Sequence, residues 1–186
     1  MKLESFWQAT APVFTGATPG DLPATADVVV IGGGFTGISA ALSLARSGVN
    51  VVVLEAGEVM SQASGRNGGH CNTGVAQNFA AMVESQGVEQ ATRYYRAFAD
   101  AVDYVQGVVA SEQIDCDFRR CGKLKLASKA SHLPSLVAAC EMMKRHVDPD
   151  VEILSADEVK REIDSPQFHG ALLQLSLIHI SEPTRP

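Results

Sequence analysis

The 186-residue chain has the composition of a globular domain, with 46% hydrophobic and 19% charged residues, enough to bury one core of ordinary size. Its formal net charge of −6 at pH 7 gives no electrostatic reason to expect binding to nucleic acid or to an anionic membrane surface. No uninterrupted apolar stretch reaches the ~18 residues of a membrane span, and the N-terminus lacks the basic head and apolar stretch of a secretory signal. We therefore expect a cytoplasmic protein without a membrane span.

The first 24 residues are predicted to form an N-terminal arm. Residues 8–26 are rich in Ala, Thr, Pro and Gly, a composition that indicates extended chain. Phe6 and Trp7 are the candidate anchors of this arm onto the body of the protein.

A strand–helix–strand unit follows the arm. Val28–Ile31 is a short β-branched run, typical of a parallel strand that is buried on both faces. Residues 36–46 place apolar side chains on one face of a helix, and Gly48 stands where a helix often ends in a left-handed residue. With Val51–Leu54 as the second strand, the pattern predicts a βαβ unit and a parallel sheet.

Downstream, a glycine-rich loop covers residues 63–74, and hydrophobic periodicity predicts further elements. Ser155 is placed to cap the last predicted helix, with Glu158 as its capping-box partner. In chain order the elements are an amphipathic helix over 88–113, a hairpin or strand pair over 117–128, a helix over 133–147, a strand over 151–154 and a helix over 156–163. The apolar face of the first helix is predicted to run along Tyr94, Phe98, Val102, Val105 and Val109.

A glycine-rich turn joins the first strand to its helix. Gly32, Gly34 and Gly37 have the G-x-G-x-x-G spacing. In this pattern the first glycine permits a tight turn, the second leaves room for a pyrophosphate, and the third lets the helix approach the strands. Phe35 lies just before the helix and Thr36 begins it, and the free N–H groups and positive dipole end of that helix attract phosphate.

Glu55 completes this fingerprint at the end of the second strand. A carboxylate there accepts hydrogen bonds from the ribose hydroxyls of an adenosine and repels a 2′-phosphate, which argues against NADP. The combination predicts an ADP-binding site, and the alternative is a tight turn without a ligand. FAD and NAD present the same ADP group, so these residues leave that choice open.

The next loop carries a more specific resemblance. Residues 63–69 read Ala-Ser-Gly-Arg-Asn-Gly-Gly, and residues 5–12 of the arm read Ser-Phe-Trp-Gln-Ala-Thr-Ala-Pro. Together with the fingerprint, these motifs resemble the D-amino-acid-oxidase-like superfamily of FAD-dependent oxidoreductases. Within it, the chain looks most like the gamma-glutamylputrescine oxidase type, over residues 5–173.

The resemblance implies FAD as the cofactor, with the loop running beside the pyrophosphate and the flavin ring. Arg66 and the loop N–H groups would face electron-rich flavin atoms. Some sarcosine- and dimethylglycine-oxidising relatives bond a nearby histidine covalently to the flavin, but that histidine aligns nearer Gly69. We therefore expect His70 to line the flavin pocket without a covalent bond. The expected cofactor-binding residues are Gly32, Gly34, Phe35, Thr36, Gly37, Glu55, Ala56, Ser64, Arg66, Asn67, Gly68, Gly69 and His70.

The fold class implied by the resemblance is α/β, a Rossmann-like FAD-binding βαβ unit followed by the beginning of a mixed α+β substrate domain. We expect an arm over 1–24, the first part of the FAD-binding domain over 25–113 and the start of the substrate domain over 114–174. Residues 175–186 resemble the translation of a transposase sequencing adapter. The chain is therefore expected to be the N-terminal fragment of a longer protein.

For the intact protein, the resemblance implies oxidation of a C–N bond in an amine or amino acid, with a gamma-glutamylputrescine-like compound among the candidate substrates. The electron acceptor would be oxygen or an unidentified carrier, and the fragment alone is expected to be inactive. No residue of this chain is nominated as a catalytic acid or base. An NAD-dependent dehydrogenase with the same fingerprint and a non-catalytic protein of this fold stay open as alternatives.

The cysteines indicate no metal site. Cys71, Cys116, Cys121 and Cys140 include no CxxC pair, and scattered thiols in a chain without an export signal are typical of reduced cysteines. Cys116 and Cys121 also lack further Cys or His at metal-ligand spacing.

Overall fold

The computed structural model describes residues 5–17, 20, 22–73, 78–116, 118–175 and 178–180. The chain folds as two compact units, Met1–Gly68 and Gly69–Pro186. The expected boundary between residues 113 and 114 falls inside the second unit. The assignment of 25–113 to FAD binding and of 114–174 to a substrate domain stays a prediction.

The first unit contains the βαβ unit expected from the sequence. β1 (Val28–Ile31) leads into α2 (Phe35–Arg46), which returns the chain to β2 (Val51–Leu54). The two strands pair in parallel along their whole length, from Val28 opposite Val51 to Ile31 opposite Leu54. Gly48 has a φ of 80°, so the left-handed residue predicted after this helix is confirmed.

The burial of β1 differs from the expectation. Val30 faces α2, because a Cβ built on Gly37 of that helix would lie 3.2 Å from Val30 Cγ1. Alternation along the strand sends Val29 and Ile31 to the opposite face, where they are 53% and 87% exposed. The prediction that β1 is buried on both faces is therefore wrong, since α2 covers only one face of this sheet.

The arm begins with a short helix rather than extended chain. α1 (Phe6–Thr10) starts at Ser5, whose Oγ accepts a hydrogen bond from the Gln8 N–H at 3.2 Å. The Gln8 side chain returns the contact by accepting from the Ser5 N–H, also at 3.2 Å. This reciprocal capping box stabilises the first turn, and its Ser-x-x-Gln signal is present in the sequence.

The second unit combines helices with two small sheets among its described residues. The elements of this unit are β3 (His70–Cys71), α3 (Phe79–Gln86), α4 (Val88–Ser111), β4 (Phe118–Arg119), β5 (Lys123–Leu126), α5 (Leu133–His146), β6 (Glu152–Ser155), α6 (Ala156–Glu162), β7 (Gly170–Gln174) and β8 (Ile178–Ile180). One sheet has the strand order β3-β8-β4 and the other β5-β7-β6.

The helices of the second unit agree with the sequence, but one strand pairing does not. The three predicted helices are confirmed as α4, α5 and α6, and Ser155 caps α6 through the expected capping box with Glu158. The pairing expected over 117–128, as a hairpin or a strand pair, is wrong, because the two strands found there have other partners: β4 pairs with β8 and β5 pairs with β7. β7 offers β5 four consecutive antiparallel partners, from Gln174 to Ala171, which the two-residue strand β4 does not.

β8 lies in the segment whose sequence resembles an adapter translation. The backbone of Ile178–Ile180 pairs antiparallel with both β3 and β4. The origin of residues 175–186 stays a prediction. None of the helices in the described ranges combines the length and the apolarity that crossing a membrane requires.

The core of the second unit lies between its helices and the β5-β7-β6 sheet. α4 turns Ala91, Tyr95 and Val102 inward, whereas Tyr94 is 41% and Phe98 36% exposed. The buried face of α4 is therefore rotated from the predicted one, although both share Val102. The core residues are Phe79, Met82, Ala91, Tyr95, Ala127, Leu136, Cys140, Met143, Val151 and Leu172.

A buried hydrogen bond ties α4 to the end of α5. The Tyr95 hydroxyl donates to Asp148 Oδ2 at 2.9 Å, and Asp148 is only 5% exposed. Tyr95 also packs edge-on against Phe79, with ring centroids 6.0 Å apart. A buried carboxylate depends on such donors, because removing one leaves part of its desolvation uncompensated.

Tyr95→Phe is expected to lower the free energy of unfolding by roughly 1–2 kcal/mol, because it removes this donor but keeps the ring. Tyr104→Phe is the matched control, since Tyr104 lies on the same helix and is 53% exposed. Urea unfolding of both variants measures the difference. Equal losses would show that the buried hydrogen bond contributes nothing specific.

Candidate cofactor-binding site

The turn between β1 and α2 brings the start of the helix unusually close to the backbone of the strand end. Gly32 has a φ of 103°, a left-handed value that favours glycine, and its N–H donates to the Leu54 carbonyl at 2.8 Å. A Cβ on Gly37 would lie 1.9 Å from the Gly32 carbonyl oxygen. Only glycine at position 37 therefore allows this approach.

The N-terminus of α2 is capped by a distant serine. Gly34 is the N-cap residue and has no side chain to supply a cap. Instead, the Phe35 N–H donates to Ser64 Oγ at 3.0 Å, and a Cβ on Gly34 would lie 2.9 Å from the same oxygen. A polar oxygen thus occupies the end of the helix where the dipole favours negative charge.

Glu55 is held against the glycine turn by backbone donors. Its Oε2 accepts from the Gly33 N–H at 2.6 Å, and its Oε1 accepts from the Gly57 N–H at 2.9 Å. The hydrogen bonds from Gly33 and Gly57, with a smaller contribution from the Ala56 N–H, lower the pKa of the Glu55 carboxyl. The carboxylate is consequently ionised at neutral pH and fixed beside the N-terminus of α2.

Hydrogen bonds hold the loop over residues 61–67 together and join Met60, the residue before it, to the glycine turn. The Met60 N–H donates to the Gly33 carbonyl at 3.0 Å, and a Cβ on Gly65 would lie 2.0 Å from the Met60 carbonyl oxygen. Arg66 Nε donates to the Ser61 carbonyl at 3.0 Å, and Asn67 Nδ2 donates to the Ser64 carbonyl at 2.6 Å. The loop conformation is thus set by its own side chains.

Most of the residues expected from the sequence lie in the first unit. The contacts given above bring six of them together around the glycine turn: Gly32, Gly34, Phe35, Gly37, Glu55 and Ser64. Thr36 lies in the first turn of α2. Ala56 directly follows Glu55, and Gly68 directly follows Asn67. The side chains of Arg66 and Asn67 donate hydrogen bonds to carbonyls of the loop. Gly69, with a φ of 69°, and His70, on β3, belong to the second unit.

The second unit has a cavity that sequence reasoning did not identify. Its volume is about 420 Å³, within the range of small-molecule sites. Its wall combines aromatic side chains with polar groups, among them Thr73. The Oγ1 atom of Thr73 is buried and has no hydrogen-bond partner among the described residues. Its polar and aromatic lining includes Thr73, Asn78, Phe79, Tyr94, Tyr95, Phe98, Lys123, Lys125 and Gln174.

No local sequence signal marks this cavity, because its walls come from segments that are far apart in the chain. His70 lines a separate cavity of about 470 Å³ with Asn72, Cys121 and Glu162. Across the described residues, no group of three or more His, Cys, Asp or Glu side chains is arranged to hold a metal ion.

Gly37→Ala is expected to destabilise the protein by about 2–3 kcal/mol, because the new methyl group would force α2 away from the Gly32 carbonyl. Gly107→Ala is the matched control, since Gly107 lies inside α4 and a Cβ there meets nothing within 4 Å. That control is expected to stabilise the protein by roughly 0.5–1 kcal/mol. Thermal unfolding of the two variants checks the opposite signs, and a neutral Gly37→Ala would contradict the close approach.

Comparison with known proteins places this geometry in a family. Residues 27–183 match the family of FAD dependent oxidoreductases, DAO. The chain is 36% identical over 156 residues to gamma-glutamylputrescine oxidoreductase of Escherichia coli strain K12, covering 84% of this chain and 36% of that protein. It is 34% identical over 180 residues to the probable oxidoreductase OrdL of Rhizobium meliloti, covering 95% of this chain and 41% of that protein.

Solved structures share the fold. L-amino acid deaminase from Proteus myxofaciens, in complex with anthranilate, has a TM-score of 0.69 at 22% identity and covers 91% of this chain and 36% of that one. Glycine oxidase from Bacillus cereus has a TM-score of 0.60 at 22% identity, covering 83% of this chain and 40% of that one. The predicted α/β fold class is therefore confirmed.

The chain spans between 36% and 41% of the length of these curated relatives. The family match itself extends over most of the 186 residues, from the start of β1 onward. This chain belongs to the family of FAD dependent oxidoreductases.

Proposed function

We propose that this chain forms the ADP end of an FAD site in an enzyme that oxidises a C–N bond of an amine or amino acid. The observation that carries the proposal is the position of the Glu55 carboxylate, bound to the Gly33 N–H at 2.6 Å beside the N-terminus of α2. An anion-binding helix end and a ribose-binding carboxylate on one glycine turn are the two features that ADP recognition needs.

The residues around the turn fit the ADP portion of FAD. The Glu55 oxygens accept backbone hydrogen bonds from Gly33 and Gly57, and the four lone pairs of a carboxylate leave capacity for a ribose hydroxyl. Phe35 and Thr36 are the first residues of α2, and their N–H groups would donate to the pyrophosphate. The Ser64 hydroxyl, which accepts from the Phe35 N–H without ligand, would then donate to the pyrophosphate. Gly34 lets Ser64 Oγ lie close to the helix end, since a Cβ there would lie 2.9 Å from that oxygen.

The remaining expected residues are proposed to follow the cofactor toward its flavin. Arg66, Asn67, Gly68 and Gly69 would run beside the pyrophosphate and the ring, and His70 would line the flavin pocket without a covalent bond. Ala56 would lie next to the ribose site, because its N–H already contributes to the Glu55 hydrogen-bond network. The rigid bracing of the 61–67 loop supports this arrangement.

The substrate class is proposed from the relatives. Their names describe a gamma-glutamylputrescine oxidoreductase, an L-amino acid deaminase and a glycine oxidase, all of which act at nitrogen-bearing small molecules. FAD, when bound, supplies the two-electron acceptor for such oxidations. We propose a small amine or amino acid as the substrate, and oxygen or another carrier as the final electron acceptor.

We further propose that the chain is part of a longer protein, because it spans 36% of the relative from Escherichia coli, and that this protein is cytoplasmic, as expected from its sequence. The remainder would supply most substrate contacts and complete the flavin site. Flavin absorption by the purified full-length protein tests the cofactor directly. A colourless protein that instead binds NAD would contradict the proposal in favour of a dehydrogenase with the same fingerprint.

Gly34→Val in the full-length protein is expected to give apoprotein, because its side chain fills the space proposed for the pyrophosphate. The absorbance of bound flavin per protein measures the loss. The double variant Gly34→Ala/Ser64→Ala separates two causes, since it removes the contact between Cβ and Ser64 Oγ while leaving a Cβ in the phosphate space. Full FAD occupancy in this double variant would overturn the proposed position of the pyrophosphate.

Glu55→Gln is expected to weaken FAD binding roughly ten- to hundredfold, as for loss of hydrogen bonds to a charged acceptor. Glu58→Gln, which removes the same charge three residues along, is the matched control. Fluorescence titration of apoprotein with FAD measures both dissociation constants. Equal affinities of the Glu55 and Glu58 variants would contradict the assignment of the ribose site.

The lowered pKa of Glu55 also predicts that the stability of the protein depends on pH. Because its folded pKa is lowered below 4.5 by the Gly33 and Gly57 N–H groups, its stabilising contribution is present above the unfolded pKa and is lost as the pH falls through the folded one. The difference in melting temperature between wild-type and Glu55→Gln apoprotein is therefore expected to be constant at neutral pH and to shrink below about pH 4.5.

A further inference from the structure

The N-terminal helix α1 contacts both ends of the loop over residues 61–67. Trp7 Nε1 donates to the Asn67 main-chain carbonyl at 2.7 Å, across 60 residues of sequence. Gln8 Nε2 donates to the Ser61 carbonyl at 3.4 Å. The arm therefore contacts the loop at Ser61 and Asn67, on either side of Ser64.

The contact of Trp7 continues into the proposed phosphate site. Asn67 Nδ2 donates to the Ser64 carbonyl at 2.6 Å, and Ser64 Oγ accepts from the Phe35 N–H in the first turn of α2 at 3.0 Å. Three hydrogen bonds thus lead from the indole of Trp7 to the helix end that would receive the anion. All of these residues belong to the first unit.

The arm is rigid enough to transmit this constraint. The capping box between Ser5 and Gln8 fixes the first turn of α1. Trp7 is half-buried and its ring stands edge-on to that of Phe6, with centroids 5.1 Å apart. An indole held in this way loses little further conformational freedom when it donates to the loop.

We propose that Trp7 is a positioning residue for the cofactor, which holds the 61–67 loop so that the Ser64 hydroxyl stays at the N-terminus of α2. The inference rests on the proposed FAD site and extends it to a segment outside the dinucleotide fingerprint. Because the indole N–H acts on the loop and not on the ribose carboxylate, its effect falls on ligands that carry a pyrophosphate. Adenosine, which reaches only the Glu55 side of the site, is insensitive to it.

The test compares Trp7→Phe with Thr10→Val in the full-length apoprotein. Trp7→Phe removes the N–H but keeps an aromatic ring next to Phe6, whereas Thr10→Val removes a hydroxyl whose hydrogen bond stays within the same helix, to the Phe6 carbonyl. Trp7→Phe is expected to raise the dissociation constants of FAD and of ADP roughly three- to tenfold, the effect of one lost hydrogen bond. Thr10→Val is expected to leave both unchanged.

Adenosine affinity is the readout that a general disturbance of the site would move, and it is expected to be the same in wild type and in Trp7→Phe. Failure of Trp7→Phe to fold or an equal loss of adenosine affinity would overturn the inference, as would unchanged FAD and ADP binding. Absence of FAD binding by the wild type would instead refute the proposed function itself.

Discussion

The close approach of α2 to the backbone at the end of β1 is the constraint on which the rest of the site depends. Because the Gly32 carbonyl lies 1.9 Å from where a Cβ of residue 37 would stand, the first turn of the helix can take its observed position only with glycine at residue 37. That position directs the Gly33 N–H to Glu55 and the Phe35 N–H to Ser64. An ionised carboxylate and a polar loop oxygen are thereby brought to one turn, although they come from two different segments.

Signals that are local in sequence predicted the corresponding structure well. β1 and β2 have the predicted bounds, because a short run of mainly β-branched residues favours a strand over a helix. Pairing and burial were harder, since they depend on partners far along the chain. The alternating residues of β5 gave no indication that their partner was β7, and the exposure of Ile31 reflects which face α2 covers, not the apolarity of the strand.

The candidate site shows the same division between local pattern and distant contact. The fingerprint identified Gly34, Gly37 and Glu55 from spacing alone, since each position has one physical requirement. Spacing could not reveal that Ser64 caps α2 or that Trp7 reaches Asn67, because those contacts join separate segments. The cavity beside Thr73 escaped detection for the same reason, as α3, α4 and β5 each contribute a part of its wall.

The cap that Ser64 provides to α2 changes the energetics of anion binding. The Phe35 N–H is already hydrogen-bonded to a neutral oxygen at 3.0 Å before any ligand arrives. For any anion that binds at this helix end, the gain at this donor is the difference between a charged and a neutral acceptor, not a whole new hydrogen bond. The Phe35 N–H is therefore satisfied in the ligand-free protein. When a ligand leaves, the Ser64 hydroxyl oxygen replaces the ligand oxygen at this donor. The free-energy cost of leaving the donor without a partner is thus avoided in both binding and release.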